Sequence, residues 1–132
     1  MAVAIQIKNL DKLQKLAEKF PAVAERHVND AIAKSLMTVY ANMVPGTPVD
    51  TSRLREDFHV PHVTRFQGWI GTKLPYARRI HDLYPVGTAY KNPSKNKGAF
   101  AGFLTYAGNK SQRAINELFS IAIRATLKDI SF

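Results

Sequence analysis

The sequence contains no cysteine and only ten acidic residues, against nineteen lysines and arginines among its 132 positions. Without cysteine, neither a disulfide framework nor a cysteine-ligated zinc site can form. No apolar run approaches the roughly 20 residues that a helix needs to cross a bilayer, and no basic segment precedes the short apolar start as in a signal peptide. We therefore expect one soluble domain over residues 1–132, made in the cytoplasm and without a membrane partner.

Positive charge is concentrated in the middle of the chain. Residues 1–57 carry eight basic against seven acidic side chains, whereas residues 65–113 carry nine basic side chains against Asp82 alone. The middle segment therefore holds a balance of +8 out of a formal +9 for the whole chain. Such asymmetry is typical of a surface that meets nucleic acid or an acidic protein, and charge alone does not choose between them.

Two amphipathic patterns predict helices in the first third of the chain. Apolar residues recur at helical spacing over residues 10–20, and a second apolar stripe runs over residues 24–43 until Pro45 ends it. Pro21 falls between the two patterns. It either kinks one long helix or opens a second helix at its first turn.

A closing helix is predicted near the end of the chain. Asn109 and Gln112 resemble a capping box, and the apolar residues that follow occupy more than one face of the helix. An apolar arc this wide is either sandwiched inside the domain or half-covered by another subunit. We favour partial cover by another subunit.

The segments between the helices predict a small sheet and a loop. Residues 58–65 and 69–73 are typical of two paired strands, and residues 75–82 of a short helix with proline at its first position. Residues 84–99, rich in proline, glycine, asparagine and lysine, predict a flexible basic loop. The order of elements predicts an α+β fold, with a long N-terminal helix and a C-terminal helix packed on a small antiparallel β-sheet.

No constellation of residues typical of an enzyme is present in the sequence. His59 and His62 lie three apart on a predicted strand, so they face opposite sides and do not share a metal unless Pro61 introduces a bulge. His81 and Asp82 are neighbours on a predicted helix, and we expect them not to face each other as a catalytic pair would. We therefore expect no enzymatic activity, no metal and no cofactor.

Four short motifs occur in the order found in a known family. The segment Thr47-Pro-Val-Asp-Thr-Ser-Arg-Leu-Arg55 resembles the Pro-Val-Asp-Thr-Gly-Arg-Leu signature of the tailed-phage tail-completion, or head–tail joining, family. Ile5-Gln-Ile-Lys-Asn-Leu-Asp-Lys-Leu13 is similar to the family's start, Pro75-Tyr-Ala77 to its Tyr-Ala motif, and Phe103-Leu104 to its Phe-Leu element. The chain departs from the family at Ser52, where glycine is usual, and in the lysine-rich insertion that follows the Tyr-Ala motif.

This resemblance implies a structural subunit of the virion, in the neck or at the top of the tail. It implies a homo-oligomeric ring, six- or twelve-fold, in contact with other neck, connector and tail proteins and with DNA as a further candidate partner. The residues themselves suggest how such contacts form. Capping by Asp50 or Thr51 directs Arg53 and Arg55 toward carboxylates of a partner, unless the segment only makes a well-capped corner of the fold.

Two groups of residues are the resulting site predictions. The predicted assembly interface consists of Asp50, Thr51, Arg53, Leu54, Arg55, Phe119, Ile123 and Leu127. The predicted contacts to DNA or to an acidic partner are Arg65, Lys73, Arg78, Arg79, Lys91, Lys95 and Lys97. The alternative function is a nucleic-acid-binding module that uses the basic segment 65–113. A small basic nuclease or toxin is a weaker alternative, because no pair of residues has supporting spacing.

Overall fold

The computed structural model describes residues 7–47, 62–64, 66–69, 77–90 and 98–130, and helices account for most of them. The elements, in chain order, are α1 (Leu10–Lys19), α2 (Pro21–Met43), a 3₁₀ turn (Val44–Gly46), β1 (His62–Thr64), β2 (Gln67–Trp69), α3 (Ala77–His81) and α4 (Phe103–Ile130). None of the helices in these ranges is long and apolar enough to cross a membrane.

Pro21 opens a second helix. Helix α1 ends at Lys19, and Phe20 adopts a non-helical backbone with φ −133° and ψ 64° between the two helices. Pro21 occupies the first position of α2, where its fixed φ suits a helix and its missing N–H would have no helical partner. Of the two alternatives that the sequence left open, the structure therefore shows a helix start.

The core lies between α2 and α4, which run antiparallel. Small side chains on both helices, Ala24 and Ala31 on α2 and Ala107 and Ala122 on α4, are buried and allow close approach. Larger apolar side chains fill the space on either side of the alanines: Leu13, Leu16, Val28, Val39, Met43, Phe103, Ile115, Phe119 and Ile123. Within this core, the Asn42 side-chain amide donates a hydrogen bond of 2.8 Å to Ser111 Oγ and links the two helices.

The predicted α+β architecture is wrong. Among the described residues, the long helices pack on each other, and the extended structure consists of one hairpin and an isolated bridge between Ala89 and Phe100. The hairpin strands are three residues each, paired antiparallel with Val63 opposite Gly68. A sheet of this size offers too little apolar surface to form a layer under two long helices, so helix–helix packing provides the core instead.

The hairpin is attached to α2 at its turn. Phe66, in the turn between the strands, has a positive φ of 58°. Its backbone N–H donates a hydrogen bond of 3.0 Å to Asn29 Oδ1 on α2. This side chain of α2 therefore fixes where the turn lies against the helix pair.

Helix α4 begins earlier than the predicted capping box. Asn109 lies inside α4 rather than at its start, because the helix begins at Phe103 directly after Gly102. Gly102 has a φ of +68°, and its N–H donates a hydrogen bond of 2.8 Å to the carbonyl of His81. This backbone conformation, which favours glycine, turns the chain sharply into the helix.

The ends of the described basic loop are joined to each other and to α2. The bridge pairs Ala89 with Phe100, and the Phe100 N–H donates a 3.0 Å hydrogen bond to the carbonyl of Gly46. Gly46 lies under the Phe100 ring, where an added Cβ would come within 2.5 Å of a ring atom. The single-domain assignment and the flexibility of residues 84–99 stay predictions, since residues 91–97 lie outside the described ranges.

The other end of the helix pair is held by an ionic cluster. Both Arg26 Nη2 and His27 Nε2, at the start of α2, approach the same oxygen of Asp129, near the end of α4, with the histidine at 2.6 Å. The hydrogen bond from His27 is the main cause that lowers the pKa of Asp129 below its ordinary value of 3.8, and Arg26 adds to it.

We predict that Gly102→Ala destabilises the protein more than Gly87→Ala. Both glycines have positive φ, 68° and 90°, so both variants incur backbone strain of about 1 kcal/mol. A Cβ at Gly102 would also come within 2.9 Å of the Val86 Cα, whereas nothing lies within 4 Å of one at Gly87. Urea denaturation of both variants measures the difference, and equal losses would contradict the close approach of Val86.

We predict that Asp129→Asn flattens the acid limb of the stability curve. Because the native pKa of Asp129 is lowered, its contribution is present above the ordinary value of 3.8 and is lost as the pH falls through the native pKa. The variant should be less stable near neutral pH and less sensitive to acid. The control is Asp30→Asn, which removes an exposed pair with Lys34 within α2 and should change little. Urea midpoints from about pH 6 to pH 3 measure both.

Candidate assembly surfaces

The predicted interface residues of α4 belong to the chain's own core. Phe119 and Ile123 are each 6% exposed, and Leu127 is half-buried against the same core. Most of the apolar surface of Phe119 and Ile123 is therefore covered within the chain itself. Ile121 on the same helix is 53% exposed instead. The width of the apolar arc predicted that one face would remain open, but periodicity does not say which face α2 covers.

The motif that carried the family resemblance is described only at its first residue. Thr47 is fully buried, and its hydroxyl donates a hydrogen bond of 2.9 Å to the carbonyl of Met43 in the last turn of α2. The motif thus starts from a fixed point at the end of the helix pair. The five predicted interface residues that follow, Asp50, Thr51, Arg53, Leu54 and Arg55, lie outside the described residues.

Two of the predicted cationic contacts lie on α3. Arg78 and Arg79 are both exposed. Arg78 Nε lies 3.8 Å from Asp82 Oδ2, and Arg79 has no ion-pair partner among the described residues. The other five predicted cations, Arg65, Lys73, Lys91, Lys95 and Lys97, lie outside the described ranges, as does His59.

His81 and Asp82 do contact each other, so the expectation that they would not is wrong. His81 Nδ1 lies 2.6 Å from Asp82 Oδ1, and this hydrogen bond is the main cause that lowers the pKa of Asp82. The rule that neighbours diverge applies inside a helix, but α3 ends at His81 and Asp82 lies just beyond it. Because the sequence predicted that α3 continues through Asp82, a contact between these two side chains was not expected.

The His81 ring connects α3 to the start of α4. The ring is 2% exposed and packs edge-on to Phe103, with 4.9 Å between the ring centroids. Its Nε2 accepts a long hydrogen bond of 3.4 Å from the N–H of Thr105, one of the first-turn amides that a helix leaves without a helical partner. Both ring nitrogens of His81 are therefore engaged in structural contacts, Nδ1 with Asp82 and Nε2 with Thr105.

The turn after α3 presents an apolar knob, formed by Leu83 and Val86. These side chains are 53% and 55% exposed. The turn is closed by backbone hydrogen bonds, including Gly87 N–H to the carbonyl of Ala101 at 2.9 Å. The Tyr90 hydroxyl donates a 2.6 Å hydrogen bond to the carbonyl of Ile80 and so connects the residues after the turn to α3. Burial raises the pKa of Tyr90 to about 12.

An apolar groove of about 750 Å³ lies between α1, α2 and the hairpin. Its described lining residues are Ile7, Leu10, Leu13, Gln14, Ala17, Val28, Ile32, Phe66, Gln67, Gly68, Trp69 and Phe119. Leu10 and Trp69 on its rim are largely exposed. The sequence pattern signalled the apolar face of α1, but the groove depends on where the hairpin docks, which no local pattern encodes. The knob and most of the groove lining lie outside the predicted site residues, although Phe119, a predicted interface residue, contributes to the groove.

We predict that His81→Phe destabilises the protein by about 1–3 kcal/mol. The substitution keeps an aromatic ring beside Phe103 but removes the acceptor for the part-buried Thr105 N–H, which is left unpaired. Asp82→Asn serves as the control, because its side chain still offers an oxygen to His81 and is half-exposed. Urea denaturation measures both, and a His81→Phe variant as stable as the wild type would contradict the capping role.

Comparison with known proteins gives one match. No curated protein and no solved structure matches the chain. The family model of HK97-gp10-like bacteriophage tail components matches residues 8–80, which is more than half of the sequence. The matched range includes the Thr47–Arg55 and Pro75–Ala77 motifs that resembled the tail-completion family, and the part of the Ile5–Leu13 motif from Lys8 onward. The chain therefore belongs to the HK97-gp10-like family of bacteriophage tail components.

Proposed function

We propose that this tail component is a ring-forming subunit at the neck or tail top of the virion, where it joins the head connector to the tail. Family membership supports a structural role among other phage tail proteins. The observation that carries the finer proposal is that the folded chain leaves both the groove and the knob exposed. Contiguous exposed apolar surface on a folded domain is typical of a protein–protein interface.

A non-catalytic role is part of this proposal. The histidines with carboxylate partners in the described part of the chain are held in contacts that connect elements, His81 between α3 and α4 and His27 between α2 and α4. A general base needs a free nitrogen aimed at a substrate. Neither histidine lies in the apolar groove, whose described lining contains only Gln14 and Gln67 as polar side chains.

The exposed arginines of α3 support an acidic protein surface as their partner. Arg78 and Arg79 lie on the element that leads directly into the knob, so an apolar contact there would bring both guanidinium groups against the same partner. Arginine forms two parallel hydrogen bonds with a carboxylate, which suits a fixed protein interface. DNA in the channel is the alternative partner for these cations.

We predict that electron microscopy of virions labelled for this protein shows it at the head–tail junction or the top of the tail, as a ring of six or twelve copies. A monomer in free solution agrees with this prediction if the ring forms only on the neighbouring tail proteins. Absence of the label from the junction and the tail would overturn the proposed function. An unrelated capsid label serves as the control for particle integrity.

A further inference from the structure

We propose that the knob of one copy, Leu83 and Val86, inserts into the apolar groove of a second copy of this chain. The inference rests on the proposed ring and names the surfaces through which its subunits meet. The proposed contact is head-to-tail, so that each subunit binds one neighbour with its knob and the other neighbour with its groove. Such a contact gives a ring when the rotation between neighbours closes.

The knob has the rigidity that an inserting element needs. In addition to the Gly87–Ala101 hydrogen bond, the Thr88 N–H donates to the carbonyl of Pro85 at 3.0 Å, and the Ala101 N–H donates to the carbonyl of Thr88 at 2.8 Å. Gly102 packs directly against Val86 from the α4 side. Because the turn is already ordered, docking it costs little additional conformational entropy.

The groove offers matching chemistry. Its walls come from α1, α2 and the hairpin, its described lining is mostly apolar, and a volume of about 750 Å³ is enough for several side chains. Burying Leu83 and Val86 there removes from water the two large apolar side chains that are exposed in the turn after α3.

Charges beside the two surfaces are complementary. Asp11 and Glu18 on α1 are seven residues apart, so they lie on one side of the helix next to the groove-lining Gln14, and neither has an ion-pair partner within the described ranges. Arg79, on the helix that leads into the knob, likewise has no such partner among the described residues. Docking the knob between α1 and the hairpin brings this arginine toward the acidic side of α1, and opposite charges at an interface rim fix its orientation.

Knob and groove cannot meet within one chain. The knob lies at the end of the helix pair where Phe100 bonds to Gly46, just beyond Met43, whereas the groove includes Val28 on the other half of α2. The fifteen residues from Val28 to Met43 correspond to about 22 Å along the helix axis. The complementary surfaces therefore face different neighbours.

Cysteine cross-linking tests the contact directly, because the chain has no cysteine of its own. Val86→Cys marks the knob and Ala17→Cys marks the groove. A disulfide between them requires Cα atoms within about 7 Å. The purified single variants are mixed at high concentration under mild oxidation, and the double variant is oxidised within assembled particles. The matched control pairs Val86→Cys with Ile121→Cys. Ile121 lies on α4 outside the groove and is about as exposed as Val86.

We expect a disulfide-linked dimer from the mixed Val86→Cys and Ala17→Cys proteins, and a ladder of linked species from the double variant in particles. The Ile121→Cys control should give neither. Arg79→Glu should reduce the cross-linked fraction, and adding Glu18→Arg should restore it. Leu83→Asp should abolish cross-linking while leaving the circular dichroism spectrum and Tm unchanged, since the side chain is exposed.

The failure of this contact is distinguishable from the failure of the proposed function. Rings on the tail in which Val86→Cys and Ala17→Cys do not link would overturn the knob-and-groove contact and leave the function standing. A link between the two positions without any ring on the virion would support the contact and overturn the proposed function. Linked Val86→Cys homodimers in place of the mixed species would overturn the head-to-tail arrangement.

Discussion

Close packing of α2 on α4 is the constraint on which the rest of the structure depends. Buried alanines on both helices bring the backbones together, and the larger side chains fill the flanks. Contacts at both ends hold α2 and α4 together. Phe100 bonds to Gly46 at one end, and Arg26 and His27 approach Asp129 at the other. With α2 and α4 held in register, the positions of α1, the hairpin and α3 are determined by what each can contact on this pair.

At the junction between α3 and α4, hydrogen bonds determine the direction in which the chain enters α4. Beside the buried Ala77 and Phe103, two hydrogen bonds set the direction of the chain: the carbonyl of His81 accepts from Gly102, and its ring accepts from Thr105. Gly102 supplies the left-handed backbone conformation that allows the chain to turn into α4. The knob is rigid because it lies between these contacts and the bridge of Ala89 with Phe100.

Local chemistry could be predicted from the sequence, and geometry that depends on packing could not. The helical patterns, the interruption between them at Pro21 and the family resemblance rested on neighbouring residues, where propensity and capping act directly. The sheet was over-predicted because β-like residues near Val63 and Trp69 form only a short hairpin beside the helices. The start of α4 was misplaced because the sequence at Asn109 resembles a helix cap. The helix begins earlier, directly after Gly102, whose positive φ turns the chain into it.

The same distinction applies to the predicted interface on α4, because Phe119 and Ile123 are buried in the core of the chain. Burying an aromatic side chain such as Phe119 contributes about 1.5–3 kcal/mol to folding, and at 6% exposure only a small part of its surface remains to line the groove. The exposed apolar surface that remains after folding includes the groove beside α1 and the knob. In the contact that we propose between copies, changes in the knob or in the rim of the groove would alter the contact, whereas the α2–α4 packing that holds each copy together would stay the same.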